Sequence, residues 1–389
     1  MTLKTAHPSI GFVSTYPPTS CGLATFTHAL RSAIAKDRDS RDGLGVVSLV
    51  DAPQGGAPDE VVVEHLNGDR SSVRKTVGAL NNFDVVMLQH EYGIYGGHNG
   101  AEVLDILKGL DVPTVVTLHT VLSQPSPSQR SILEGVVGLT DETIVMSETA
   151  RQRLIDNYDV DPSKITMIPH GARIALSGPS LADGHRPVFL TWGLIGPGKG
   201  LENAIDAFAE LKDLTPLPRY IILGKTHPKV QAHSGDDYLN GLKARVEDLG
   251  LQEVVEFDGR YLDIDALTLA VRSADVVVLP YESTEQVTSG VLVEALGAGK
   301  PVIATAFPHA KELLSAGAGM VVPHNDPAAL GAAIRRVFQI PVSTARMASK
   351  ARAIGSTMYW PVVARQYQAL ATSLAAQGDG ARTSLAKVG

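Results

Sequence analysis

Between Val276 and Thr305 two short apolar runs, Val276-Val277-Val278-Leu279 and Val302-Ile303-Ala304-Thr305, bracket a polar loop and a segment of helical character. A strand that is apolar at every position has both of its faces covered, which is the mark of a parallel sheet with helices on either side. The same unit recurs along the chain. Strands are read at 9–15, 44–50, 61–66, 83–89, 113–118, 142–146, 165–168, 188–192, 219–223, 254–257, 275–280, 302–305 and 320–323, with helical segments between most of them. A chain of 389 residues exceeds what one hydrophobic core usually supports, so two such βα domains are expected. The stretch 172–187, rich in Ser, Gly, Pro, Asp and His, reads as the linker between them.

Ligands of parallel sheets collect at the carboxyl ends of the strands, so the polar residues there are the candidates. After Leu279 the loop leads to Thr288 or Ser289, either of which can cap a helix that stops at Gly299 before Pro301. A helix start offers unpaired N–H groups and a partial positive charge, to which an anion such as a diphosphate is suited. Glu294 follows about one and a half turns in. The loop Gly193 to Gly200, with Gly198 and Lys199, again precedes a helix; its spacing is not that of a Walker A loop, yet its lysine can pair with a phosphate. An exposed loop lysine is the plainer reading. In the first half, the Pro17-Pro18 loop ends on Gly22 at a helix start, either an ordinary βα connection or a second phosphate approach. Past residue 88 come His90, Glu91, Tyr92 and Tyr95 in a Gly-rich loop, suited to a polyhydroxylated substrate or to a mobile lid, and past Leu118 comes His119. A histidine at a strand end is as often structural as catalytic.

Charge and cysteine usage narrow the partners. A formal net charge of −7 argues against nucleic acid, whose binding is driven by clustered positive charge. Arg31, Lys36, Arg38 and Arg41, or Arg70, Arg74 and Lys75, form local basic faces, read first as solvated helix surface and second as a peripheral contact with an anionic membrane. The single Cys21 excludes an intrachain disulfide and a thiolate metal cluster, and fits a reducing compartment. No run has the length of a membrane span and the N-terminus has no apolar signal core. A cytoplasmic protein, or one peripheral to the inner face of the membrane, is expected.

The run Thr288-Ser289-Gly290-Val291-Leu292-Val293-Glu294-Ala295-Leu296-Gly297-Ala298-Gly299-Lys300-Pro301-Val302-Ile303 resembles the glutamate-bearing helix and following strand of the retaining glycosyltransferases of the GT-B fold, family 4. The Gly22 loop, the Leu118-His119 strand end and the Gly193 to Gly200 loop lie in that family's order, so the resemblance covers about residues 10–367. It implies two Rossmann-like domains, 1–178 and 187–355, facing each other across a cleft. A helix 356–375 would return to the first domain, and 376–389 is read as a disordered tail. It further implies that Glu294 holds the ribose of a nucleotide diphosphate sugar. The N–H groups of Ser289, Gly290 and Val291, with Gly198, Lys199 and Thr288, would hold the diphosphate, and Gly22 would present its amide to it. His119 would contact the donor sugar with His170 and Gly171 close by, Arg260 and Tyr261 would lie beside the base, and His90, Glu91, Tyr92 and Tyr95 would face the acceptor. No metal or other cofactor is implied.

Two positions depart from the family. Leu194 stands where an arginine is usual, and Gln286 where the first of two paired glutamates is usual; an amide brings no negative charge to a developing oxocarbenium ion. The expected activity is transfer of a hexose to a hydroxyl of a glycan, lipid or small molecule. A nucleotide-sugar-binding protein without transfer, and an epimerase or phosphorylase of like fold, stand beside it. A dinucleotide oxidoreductase is disfavoured, because neither loop has the G-x-G-x-x-G spacing.

Overall fold

The computed structural model describes residues 7–38, 43–174, 186–260 and 262–385, with side chains to residue 377. Most of the expected linker, and Tyr261, lie outside these residues. The chain divides into two compact units, one formed by Met1–Gly171 with Trp360–Gly389, the other by Ala172–Tyr359.

In the first unit β1 (Ile10–Ser14), β2 (Leu44–Val50), β3 (Val61–Leu66), β4 (Val85–His90), β5 (Thr114–Leu118), β6 (Glu142–Val145) and β7 (Ile165–Met167) form one parallel sheet in the order 3-2-1-4-5-6-7. Phe12 of β1 sits opposite Val46 on one side and Met87 on the other. Every residue of β1, β2, β4 and β5 is buried, which is why those runs are apolar without alternation. Phe12, Phe26, Leu30 and Ile34 share a core with Trp360, Val363 and Tyr367 of the last helix, and Thr117 Oγ1 lies 3.2 Å from the Tyr367 hydroxyl.

The second unit repeats the arrangement with β8 (Val188–Trp192), β9 (Arg219–Leu223), β10 (Val255–Asp258), β11 (Val276–Leu279), β12 (Val302–Thr305) and β13 (Gly319–Val322), all parallel, in the order 10-9-8-11-12-13. In its core Phe189 meets Phe208 edge-on, and Phe208 stacks on Tyr220 with ring centroids 4.6 Å apart. In each sheet the strand order reverses once, between β1 and β4 and between β8 and β11. Within each sheet the loops leaving the carboxyl ends of its two reversal strands diverge, and that crevice is the place where a doubly wound sheet binds ligands.

Two sequence expectations are corrected at the C-terminus. The last helix, read as starting at Ser356, starts at Trp360, because a separate helix runs from Pro341 to Thr357. That helix has little periodic apolarity, its buried face resting on Thr344, Met347, Ala351 and Gly355, so its sequence carries a weak signal. The last helix also continues to Leu385, past Ala376, where the tail is read to begin.

Candidate active site

In the second unit the loop after β8 turns through Gly193, Gly198 and Gly200, with φ of 128°, 85° and 63°. At Gly200 no side chain fits, since a Cβ would lie 1.9 Å from the carbonyl oxygen of Pro280. That close approach docks the lysine loop on the end of β11, and the Glu282 N–H donates to Gly198 O at 3.0 Å. Lys199 Nζ lies 4.6 Å above the ring of Tyr281, a cation–π contact that orients the ammonium without neutralising it.

Beyond β11 the chain enters the helix Gly290–Gly297, capped by Ser289, whose Oγ accepts from Leu292 N at 3.3 Å. Ser289 is therefore the cap. Its own N–H donates to His309 Nδ1 at 2.8 Å, so of the three expected anion-binding amides this one is already engaged. Gly290 and Val291 keep amides without an acceptor among the described residues, and Thr288 Oγ1 is buried without a partner among them. The Gln286 amide turns back on its own loop, donating to Thr288 O at 3.1 Å.

Glu294 points to a partner that sequence spacing does not reveal. Its carboxylate accepts from the backbone N–H of Arg173 at 3.3 Å and from Arg173 Nε at 3.2 and 3.3 Å. Burial pushes the Glu294 carboxyl above its ordinary range, and the Arg173 charge and hydrogen bonds oppose that rise. Arg260 folds onto Asp258, Nε to Oδ1 at 2.8 Å and Nη2 to Oδ2 at 2.5 Å, at the exposed end of β10.

The first unit presents a different chemistry at its reversal point. Gly22 opens the helix Gly22–Lys36, is exposed, and has no atom within 4 Å of where a Cβ would be. His119, one residue past β5, donates Nε2–H to Gln89 Oε1 at 2.8 Å and packs edge-on against Phe26 with ring centroids 4.9 Å apart. Phe26 makes the same kind of contact with His170 and Trp360. Burial pushes His119 down to about 3, helped by the neighbouring His170 and His90, and His170 down to about 4. Both are neutral near pH 7. The His170 Nδ1–H donates to Gly171 O at 2.7 Å, and a Cβ at Gly171 would come within 2.2 Å of the Trp360 ring.

Of the four residues expected on the acceptor side, His90, Tyr92 and Tyr95 are buried and Glu91 is half-buried. His90 is fully buried among Tyr92 and Tyr95, its two ring nitrogens without partners among the described residues, and burial holds it at about 4. Tyr95 gives its hydroxyl to Gln89 O at 2.7 Å and Tyr92 to Gln129 O at 3.2 Å; both tyrosines are buried and hold the loop. Glu91 is half-buried, accepts from Tyr92 N at 3.0 Å and from the Thr120 hydroxyl, and burial raises its carboxyl. The Gly-rich loop is anchored by a residue outside it. Glu102 accepts from Gly68 N and Gly96 N at 3.1 Å and pairs with His65 Nε2 at 3.3 Å.

A family model described as Glycosyl transferases group 1 matches residues 173–354, and one described as Glycosyltransferase Family 4 matches residues 38–176. The chain belongs to the group 1 glycosyltransferases. Its fold is GT-B, and it is a transferase of the glycosyl class. It is 25% identical to a D-inositol 3-phosphate glycosyltransferase of Acidothermus cellulolyticus over 86% of this chain and 78% of that one. It is 29% identical to a phosphatidyl-myo-inositol mannosyltransferase of Mycobacterium leprae over 69% and 70%. A D-inositol 3-phosphate glycosyltransferase of Kineococcus radiotolerans matches at 26% identity, with the aligned part spanning 64% of its length. Among solved structures, Anabaena Alr3699/HepE in complex with UDP superposes with a TM-score of 0.74 at 23% identity, over 94% of this chain and all of that one. Sucrose-phosphate synthase from Thermosynechococcus elongatus does so at 0.74 and 20% identity, over 95% and 99%.

Among the described residues no helix is long and apolar enough to cross a membrane, and no group of three or more His, Cys, Asp or Glu is arranged to hold a metal ion.

Proposed function

We propose that this group 1 glycosyltransferase moves a hexosyl group from a nucleoside diphosphate sugar to a hydroxyl acceptor, with retention at the anomeric carbon and without a metal ion. The observation that carries the reading is the β8–β11 crevice. There the Lys199 ammonium lies over the Tyr281 ring just past β11, and the helix that follows the same strand starts with Gly290 and Val291 amides that have no acceptor among the described residues. Anions are held by such a pair of charge and amides. One and a half turns along, Glu294 is placed to accept from ribose hydroxyls. The relatives that bind UDP support a nucleotide at this site.

In the reaction the acceptor oxygen bonds to the anomeric carbon as the bond to the diphosphate oxygen breaks. The acceptor proton passes to that departing oxygen on the same face. Catalysis then rests on positioning and on stabilising the phosphate charge. His119, neutral and donating Nε2–H to Gln89, keeps Nδ1 as an acceptor toward a sugar hydroxyl.

On the acceptor side the half-buried polar groups are Glu91 and Thr120, hydrogen-bonded to each other, with neutral His119 next in the chain. A half-buried carboxylate accepts hydrogen bonds from hydroxyls and repels a phosphate. The acceptor is therefore proposed as a polyol or glycan hydroxyl without a phosphate at that position, in contrast to the inositol 3-phosphate in the names of several relatives. The test is a matrix of UDP-, GDP- and ADP-sugars against phosphorylated and unphosphorylated polyols. The read-outs are nucleoside diphosphate release and, by NMR, the product's anomeric configuration. Inverted product, or transfer only to phosphorylated acceptors, would overturn the corresponding part.

The second reading, a nucleotide-sugar-binding protein without transfer, is favoured by one observation: the Gln286 side chain is spent on its own loop and carries no charge. Donor binding with no release or transfer across that matrix would select it.

A further inference from the structure

Arg173 falls in the stretch that sequence composition marks as linker, yet it is held as firmly as a core residue. One position before it, Ala172 N–H donates to Met358 O at 2.7 Å, and Ala172 forms a parallel bridge with Tyr359. Ala172 is fully buried and packs so closely on the Gly290–Gly297 helix that a Cβ on Gly297 would lie 2.6 Å from its own Cβ. The Arg173 side chain reaches from that helix to the start of the helix Ile264–Ser273: Nε donates to the Glu294 carboxylate and Nη1 to Ile264 O at 3.1 Å. Both side chains are largely shielded, with 23% and 20% of their surface exposed.

We propose that Arg173 is a positioning residue for the donor, holding Glu294 turned and ionised so that its carboxylate accepts the ribose hydroxyls of the nucleotide. This rests on the donor reading above. The geometry favours positioning over blockage. A carboxylate has about four lone-pair sites, and Arg173 meets them with two N–H groups, its backbone amide and a single Nε–H shared between both oxygens. The terminal nitrogen Nη1 is turned away to Ile264. A side-on approach leaves acceptor sites for a diol, where a two-pronged guanidinium would fill them. Without a cation, a shielded carboxyl takes up a proton more readily and becomes a poorer acceptor. Among the described residues Arg173 is the charged group bonded to Glu294, and no other charge is seen to act on it.

The test uses the full chain and the nucleoside diphosphate that wild type binds, chosen by calorimetry from UDP, GDP and ADP. Arg173→Ala is expected to weaken binding about tenfold at pH 7.5, the scale of one hydrogen bond to a charged group. The loss grows as pH falls toward 5.5, because the unpaired Glu294 protonates at higher pH than the paired one. Arg173→Lys restores most of the affinity. Glu294→Gln weakens binding with no added loss at low pH, and Arg173→Ala adds nothing in that background. Unchanged or tighter binding by Arg173→Ala would overturn the proposal, as would an equal further loss on top of Glu294→Gln, which would mark a purely structural role. Thermal unfolding of each variant separates misfolding from lost affinity. If wild type binds none of the three nucleotides, the donor reading falls and this proposal with it, an outcome distinct from a failure of Arg173 alone.

Discussion

The two units share a strand order and differ in what they place where that order reverses. In the first unit the crevice end is built from side chains. His90, His119 and His170 are held neutral by burial, Tyr92 and Tyr95 are tied to backbone carbonyls, and Glu91 is the one carboxylate among them. In the second unit the crevice end is built from backbone. Glycines at positive φ bring the Lys199 loop against β11, and the Gly290 helix offers bare amides. The first arrangement suits recognition of hydroxyl groups, which needs neutral donors and acceptors in fixed directions. The second suits a diphosphate, whose charge is met by N–H dipoles and an ammonium.

The difference is broken most directly at Lys199. Lys199→Ala is expected to lower turnover about a hundredfold or more, about 3 kcal/mol in the barrier, while the unfolding midpoint stays that of wild type. Activity near the wild-type level would remove the charge from the account. The matching lesion in the first unit is steric. Gly171→Ala drives a methyl into the Trp360 ring and should cost about 2 kcal/mol of stability, as overpacked cores do, visible as a lower midpoint in chemical denaturation. An unshifted midpoint would mean that the ring moves aside.

The sheets were legible in the sequence because doubly covered strands are apolar at nearly every position, and each expected strand is present with its ends shifted by a residue or two. The helix 341–357 was not, because its buried face is made of small and polar residues rather than a stripe of large ones. The Gly198, Lys199 and Gly290 region was legible for a local reason, since a glycine-rich loop before a helix is a contiguous signal. Arg173 was not legible. Its partner Glu294 lies 121 positions away, and its surroundings read as linker. His90 shows the opposite error: a histidine beside a strand end looks available for chemistry, and only packing reveals that both nitrogens are sealed. The anchoring of the 91–98 loop by Glu102 and His65 was hidden in the same way, being a contact between distant segments.

The neutral histidines give the first unit a pH signature. The His90 pKa is about 4 in the folded chain, below its ordinary value of 6.5, so the unfolded chain binds the extra proton first. Stability is then full above about pH 6.5 and falls as pH drops toward 4, by about 1.4 kcal/mol per pH unit for one histidine. His90→Phe, which keeps a ring against Tyr92 and Tyr95, should flatten the denaturation profile over that range by that slope. An unaltered slope would show that His90 is not the group responsible. The smallest effect is at the start of the Gly22–Lys36 helix, where Cys21 Sγ accepts from Ala24 N at 3.4 Å. Serine is a better cap, and Cys21→Ser should stabilise by about 0.5 kcal/mol, a small rise in midpoint that a fall would contradict.

The second unit is proposed to bind a nucleoside diphosphate through backbone amides, Lys199 and Glu294. Thermal unfolding of the full chain with UDP, GDP, ADP and their sugars measures it directly. The nucleotide that fits should, at 100 times its dissociation constant, stabilise the protein by about 2.7 kcal/mol. Lys199→Ala should reduce that gain at the same ligand concentration. An unchanged midpoint with all of the nucleotides and sugars would contradict the claim.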